Sequence, residues 1–119
     1  MTTLTIANVT VDCTHAADLA EFYAALLGRT VDAGASEFFA TVGRETGARP
    51  VLMFAKVPDP TPGKNRVHLD LHTPDGAAEV SRAVGLGAKH VADVAAYGAV
   101  WTTLADPEGN LFDIGDGGA

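Results

Sequence analysis

The order of sequence patterns in the first half of this 119-residue chain recurs in the second half at an almost constant spacing. The matched segments are residues 8–11 with 68–71, residues 51–54 with 111–114, and the Leu-Gly pairs at 27–28 and 86–87. The first two pairs are 60 residues apart and the third is 59 apart. Two units of this length are too few for a solenoid. The repeat therefore predicts two similar half-domains, each a curved sheet with a helix on one side.

The first half reads as a strand, a helix and three further strands. Residues 5–13 alternate and are rich in Ile, Val and Thr, which is typical of a strand. Apolar residues between positions 19 and 27 then recur at helical spacing, with Thr14 or His15 as the N-cap and Gly28 as the end. Strands are predicted over residues 30–32, 38–42 and 51–57.

The second half runs through the same order. Residues 66–73 alternate as a strand, Pro74 and Asp75 open a helix, and Gly87 ends it. Three strands follow, over residues 90–94, 100–105 and 111–116. The prolines near position 60 mark a linker. We predict one α+β domain with module 1 at about residues 4–57, a linker at 58–65 and module 2 at about 66–116.

Charge and composition exclude several classes of partner. The formal net charge is −7, and the eight Lys and Arg residues are scattered along the chain. Nucleic acid and anionic membrane surfaces are therefore not expected partners. The single cysteine, Cys13, allows no internal disulfide, and neither a basic-apolar leader nor a membrane-spanning run is apparent. We expect a cytoplasmic protein.

Several motifs resemble the vicinal oxygen chelate superfamily, which contains glyoxalases, bleomycin-resistance proteins and extradiol dioxygenases. The motifs are Asp18-Leu19, Phe22-Tyr23 and Leu27-Gly28 in the first module, and His68 with the segment Asp106-Pro107-Glu108-Gly109-Asn110 in the second. The run at residues 64–71 is similar to the glyoxalase-like domain branch. This resemblance implies two βαβββ modules whose curved mixed sheets form a cup. The Asp-Pro-Glu-Gly-Asn segment also has the composition of a type I turn between two strands.

The resemblance also implies where a divalent metal would be held, on the first and last strands of each module. Through the repeat, these positions are Asn8, Met53, His68 and Asp113. His68 and Asp113 are good ligands, but Asn8 is a weak oxygen donor and Met53 is a soft thioether. Because a catalytic metal usually has about three protein ligands, we expect a cup without metal. If a metal does bind, His68 and Asp113 are its expected ligands.

Strand alternation places further polar groups beside His68. Asp70 and His72 share a strand face with it, because side chains alternate with a period of two. This His-x-Asp-x-His pattern offers additional ligands for a metal. The simpler interpretation is a polar lining held by hydrogen bonds.

Two functions fit these residues. The first is a small-molecule-binding protein, of a sequestering or accessory kind, with a metal-free cup and no cofactor. Its ligand-binding residues would be Asn8, Met53, His68, Asp70, His72, Trp101 and Asp113. The aromatic candidates for stacking a planar ligand are Phe39, Phe54 and Trp101.

The alternative is a lyase, isomerase or dioxygenase acting on a small oxygen-rich substrate. A metal would act there as a Lewis acid, and without metal His68 with Asp70 or Asp113 would act as a general acid and base. A third interpretation is that the cup has lost its original function and the domain persists as an interaction module. The resemblance also implies a homodimer.

Overall fold

The computed structural model describes residues 4–60 and 65–115. The chain divides into two compact units, the first ending at Pro60 and the second beginning at Thr61. Residues 61–64 of the predicted linker, and residue 116 at the end of the predicted second module, lie outside the described residues. No helix among the described residues is both long and apolar enough to cross a membrane.

The first unit is a three-stranded sheet with one helix. Its elements are β1 (Val9–Cys13), α1 (Ala16–Leu27), β2 (Phe39–Val42) and β3 (Leu52–Lys56). The strand order is β1-β3-β2, with β1 parallel and β2 antiparallel to β3. His15, not Thr14, is the N-cap of α1, since its side chain accepts from the Asp18 amide. Gly28 ends the helix at a φ of 66°.

The predicted strand over residues 30–32 is wrong as a strand, because only Val31 forms an isolated bridge, to Val42. The reason is local competition for hydrogen bonds. The Asp32 carboxylate accepts from the Thr41 hydroxyl at 2.6 Å and from the amides of Arg44 and Glu45 at 2.9 and 3.1 Å. These bonds turn the chain around a buried carboxylate, so no extended ladder forms.

The second unit is a four-stranded sheet with one helix. Its elements are β4 (Leu69–His72), α2 (Gly76–Leu86), β5 (Lys89–Ala96), β6 (Ala99–Ala105) and β7 (Leu111–Gly115). The order is β4-β7-β6-β5, with β4 parallel to β7 and the other neighbours antiparallel. α2 begins after Pro74 and Asp75, as predicted, and Asp75 is its N-cap. The turn between β6 and β7 closes on Asp106, whose carboxylate accepts from the Glu108 and Asn110 amides.

The two units share one strand register, offset by 60 residues. Thr10 lies opposite Met53 in the first unit, and Asp70 lies opposite Asp113 in the second. This agreement accounts for the repeat in the sequence and confirms the α+β prediction of two related modules. In the second unit, Phe112 and Ile114 are buried on the face that carries α2. Asp70 and Asp113 therefore lie on the opposite face, which we call the open face.

Candidate functional site

Three side chains with metal-ligand chemistry meet on the open face of the second unit. The Nδ1 atom of His68 lies 2.7 Å from Oδ1 of Asp70 and 3.5 Å from Oδ2 of Asp113. The side chains of His68 and Asp70 are 46% and 70% exposed, whereas that of Asp113 is 17% exposed. The imidazole is thus bracketed by two carboxylates, one at the surface and one half-buried.

Backbone register produces this cluster. Asp70 and Asp113 are direct partners on the parallel strands β4 and β7, and His68 lies two residues before Asp70 on the same face. Residues that face each other on paired strands have their Cβ atoms about 5 Å apart, which is within reach of an imidazole. The predicted grouping of His68, Asp70 and Asp113 is therefore present in the structure.

Thr103 is a member of the cluster that the sequence analysis missed. It lies opposite Asp113 on β6, and its hydroxyl donates to Asp113 Oδ1 at 2.6 Å. This bond holds the half-buried carboxylate in place and directs its other oxygen, Oδ2, toward His68. Strand alternation in the sequence could have indicated Thr103, because it shares a strand face with Trp101, a predicted ligand-binding residue.

Proton positions follow from the chemistry of the three groups. Ionised carboxylates only accept hydrogen bonds, so His68 donates Nδ1–H toward Asp70 and Asp113. The face therefore presents carboxylate oxygens as acceptors, which favours ligands that carry N–H or O–H groups.

The same donor set fits a divalent metal ion. One imidazole and two carboxylates each offer a ligand atom, and these atoms all lie within 4.8 Å of one another. Ligands of one small divalent ion lie roughly 3–4 Å apart, so small side-chain rotations would bring these atoms to that separation. The ligands would be His68, Asp70 and Asp113, one more than the two expected from the sequence.

The other predicted ligand-binding residues of the second unit flank the cluster. His72 lies on the open face at the end of β4, opposite Gly115, and it is not one of the three clustered ligands. Trp101 lies opposite Gly115 on β6 and is half-buried. A Cβ atom placed on Gly115 would lie 3.3 Å from the Trp101 Cβ, so the glycine leaves room for the indole on this face.

Asn8 and Met53 belong to the first unit. The Asn8 side-chain amide donates to the Thr10 hydroxyl at 2.9 Å, and Met53 lies opposite Thr10. These three residues are the counterparts of His68, Asp70 and Asp113 in the shared register. Asn8 and Thr10 therefore form a neutral polar pair in the first unit, whereas His68 and Asp70 form an ionisable pair in the second.

One aromatic candidate for ligand stacking is wrong. Phe54 is 0% exposed and stacks on Tyr23, with ring centroids 5.7 Å apart. Its place on β3 puts its side chain on the face that α1 covers, opposite to the face of Met53. Phe39 is 40% exposed and lies opposite Ala55, one position out of phase with Phe54.

Comparison with protein families and solved structures places this geometry in context. The family model described as "Glyoxalase-like domain" matches residues 8–115. A search of curated proteins finds no match. Among solved structures, a glyoxalase/bleomycin resistance protein/dioxygenase family enzyme from Burkholderia phytofirmans PsJN is 19% identical, with a TM-score of 0.76 over 94% of this chain and 98% of that one.

Two further structures have the same fold. A mutant of the fosfomycin resistance protein FosX from Listeria monocytogenes, complexed with Mn(II) and 1S,2S-dihydroxypropylphosphonic acid, is 11% identical. Its TM-score is 0.76, over 98% of this chain and 92% of that one. A bleomycin resistance determinant encoded on the transposon Tn5 is 18% identical, with a TM-score of 0.64 over 94% and 97% of the two chains. Because the family model spans nearly the whole chain, this protein belongs to the glyoxalase-like domain family.

Proposed function

We propose that this chain is a single glyoxalase-like domain that binds a small molecule on the open face of its second module. Residues that take part from that module are His68, Asp70, His72, Trp101 and Asp113. Asn8 and Met53 stay predicted ligand-binding residues of the first module. The ligand would be a planar compound with N–H or O–H groups. Trp101 supplies apolar surface for its ring, and the acceptor atoms around His68 fix its orientation.

The observation that carries this proposal is the pairing of His68 with Asp70 and Asp113 on an exposed sheet face. A surface ion pair contributes little to stability, about 0–1 kcal/mol, so folding alone gives little reason for this arrangement. The bleomycin resistance determinant and the FosX complex are relatives in fold whose names refer to small molecules. They support binding as the function of this chain.

Ligand screening tests the proposal directly. The full chain would be screened by thermal shift against planar aromatic compounds, and hits would be titrated by the fluorescence of Trp101, the single tryptophan. We expect His68→Ala and Asp113→Asn each to weaken binding about tenfold or more, as loss of a charge-assisted hydrogen bond does. Glu21→Gln, an exposed charge change on α1, is the matched control and should bind as the parent does. Hits that bind both site variants as tightly as the parent would refute the site.

A second function, a divalent-metal-dependent enzyme, is favoured by one specific observation. His68, Asp70 and Asp113 form a set of three clustered ligand-type side chains on strands β4 and β7. A metal held there would act as a Lewis acid toward a substrate with neighbouring oxygens. The chain's own part would be to hold that ion, with Thr103 fixing the orientation of Asp113. This function would be that of a lyase, isomerase or dioxygenase.

Metal content separates the two functions. Untagged protein purified without chelator would be analysed by mass spectrometry, together with His68→Ala. Near-stoichiometric Mn, Fe, Ni or Zn in the parent that is lost in the variant would establish the metal function. Protein that is free of metal, and whose melting temperature does not respond to added divalent ions, would leave the metal-free binder.

The proposal includes a homodimer, because the resemblance of the chain to its family implies one. Light scattering at micromolar concentration should give twice the 12.2 kDa chain mass. A mass of one chain would refute this part of the proposal and leave the binding site unaffected. The proposal also includes a cytoplasmic location, which is in keeping with a single cysteine, Cys13, whose buried thiol donates to the Ala55 carbonyl oxygen.

A further inference from the structure

A second cleft lies on the other side of the second unit's sheet, between α2 and strands β5 to β7. Its volume is about 650 Å³, which is within the usual range for small-molecule sites. It is lined by residues from the N-terminal half of α2, including Ala77 and Val80, and by Thr102 and Ile114 of the sheet. Thr102 and Ile114 are direct partners on the α2 face, so the cleft is separated from His68 and Asp113 by the sheet.

An oriented carboxylate forms one wall of this cleft. Asp93 Oδ1 accepts a hydrogen bond from the Thr102 hydroxyl at 2.8 Å and lies 3.0 Å from His90 Nε2. Neither contact uses Oδ2. The hydrogen bond from His90, followed by that from Thr102, holds the pKa of Asp93 below its ordinary value. Asp93 is therefore ionised at neutral pH, with Oδ1 held by these two contacts.

Other residues that line the cleft are apolar. Val80 of α2, Val100 of β6 and Ile114 of β7 contribute branched aliphatic side chains to the lining. α2 covers this side of the sheet only in part, since Ala83 is the one residue of the helix that is buried. A ligand in this cleft would thus meet aliphatic surface beside a carboxylate.

The balance of charge decides which ligand fits. Two carboxylates, those of Asp75 and Asp93, line the cleft, and no lysine or arginine is among its lining residues in the described part of the chain. The N-terminus of α2 adds a partial positive charge of about one half, which the Asp75 cap already offsets. Two carboxylates against a single histidine leave the cleft with a net negative charge. This sign favours a cation over an anion.

We propose that this cleft binds small organic cations, meaning protonated amines attached to an apolar group. The ammonium would lie against Oδ2 of Asp93, and the apolar group would pack on Val80 and Ile114. This site is additional to the proposed binding face around His68, and Trp101 and Gly115 border both.

Three probes with one apolar group test the assignment of charge. Phenethylammonium, neutral 2-phenylethanol and anionic phenylacetate would each be titrated into the full chain at neutral pH and followed by amide chemical shifts. We expect saturable shifts with the ammonium at residues such as Ala77, Val80 and Thr102, with weaker effects from the alcohol. Stronger binding of phenylacetate would overturn the proposal, because the helix terminus and His90 would then dominate. Equal binding of all three probes would also overturn it.

Matched variants test the residues. Asp93→Asn keeps the shape of the side chain and should weaken phenethylammonium binding about tenfold. Glu79→Gln removes a charge from α2, the helix beside the cleft, where Glu79 pairs with Arg82. It should change binding less than about twofold. Equal losses in both variants would mean only a general charge effect and would refute the site. His68→Ala should leave amine binding unchanged, so this outcome is independent of the function proposed above.

Discussion

The Nδ1 atom of His68 lies 2.7 Å from the carboxylate of Asp70, at the beginning of the second module. At the equivalent positions of the first module, Asn8 and Thr10 are also joined by a hydrogen bond, of 2.9 Å. The two modules have thus kept the same geometry of side-chain contact with different chemistry. Only the second pair is ionisable, and this difference is why the candidate site is assigned to the second module.

Removal of the Thr103 hydroxyl should destabilise the protein and disturb the site. Thr103→Val keeps the shape of the side chain but leaves the half-buried Asp113 without the 2.6 Å hydrogen bond. We expect the free energy of unfolding to fall by about 1–2 kcal/mol, measured by urea denaturation. Thr30→Val, at an exposed position, is the control and should change it by less than about 0.5 kcal/mol. An unchanged midpoint for Thr103→Val would contradict the role assigned to this hydroxyl.

A methyl group at Gly115 should displace Trp101. The added Cβ would lie 3.3 Å from both the Trp101 Cβ and the Val100 carbonyl oxygen, closer than atoms normally approach. Gly115→Ala should cost about 1 kcal/mol of stability and change the emission of the single tryptophan. Gly85→Ala has open space around its Cβ within α2 and should stabilise the chain by about 0.5–1 kcal/mol. Identical emission spectra for Gly115→Ala and the parent would show that the indole does not depend on this glycine.

Asp32 should make stability depend on pH in acid. Burial by itself raises the pKa of Asp32, but hydrogen bonds from Thr41, Glu45 and Arg44, with the Arg44 charge, outweigh burial and hold it below 3.8. The unfolded chain therefore takes up this proton more readily than the folded chain does. The contribution of Asp32 is present in full well above pH 3.8 and is lost as the pH falls through the lower folded-state pKa.

Asp32→Asn tests this linkage. We expect the variant to lose about 2–3 kcal/mol of stability at neutral pH, because an amide cannot replace a carboxylate as acceptor of all three bonds. The difference from the parent in urea midpoint should shrink as the pH falls below about 4. A difference that stays constant from neutral pH to about pH 3 would contradict the linkage.

Phe54 should contribute to stability and not to ligand binding. It is completely buried against Tyr23, so Phe54→Leu should lower the free energy of unfolding by about 1–2 kcal/mol through lost packing. Ligands found in the thermal-shift screen should bind this variant as they bind the parent. Phe38→Leu, at a site that is 62% exposed, is the matched control and should leave stability nearly unchanged. If Phe54→Leu lost ligand binding without losing stability, this prediction would be wrong and Phe54 would be a ligand contact.

The sequence by itself determined the features that depend on local periodicity. Helical spacing and glycine ends marked α1 and α2, and the 60-residue repeat predicted two related modules before any strand pairing was known. Alternation placed His68, Asp70 and His72 on one face, since parity is a property of a single strand.

Only the tertiary structure decided what depends on strands that are distant in the chain. Pairing of β4, β7 and β6 brought Asp113 and Thr103 to His68 and left His72 outside the cluster. Pairing of β1 and β2 with β3 buries Phe54 in the core. The hydrogen bonds of Asp32 hold residues 30–32 in a loop where a strand was predicted. Register between distant strands is selected by burial of a whole sheet face, and no window of sequence contains that information.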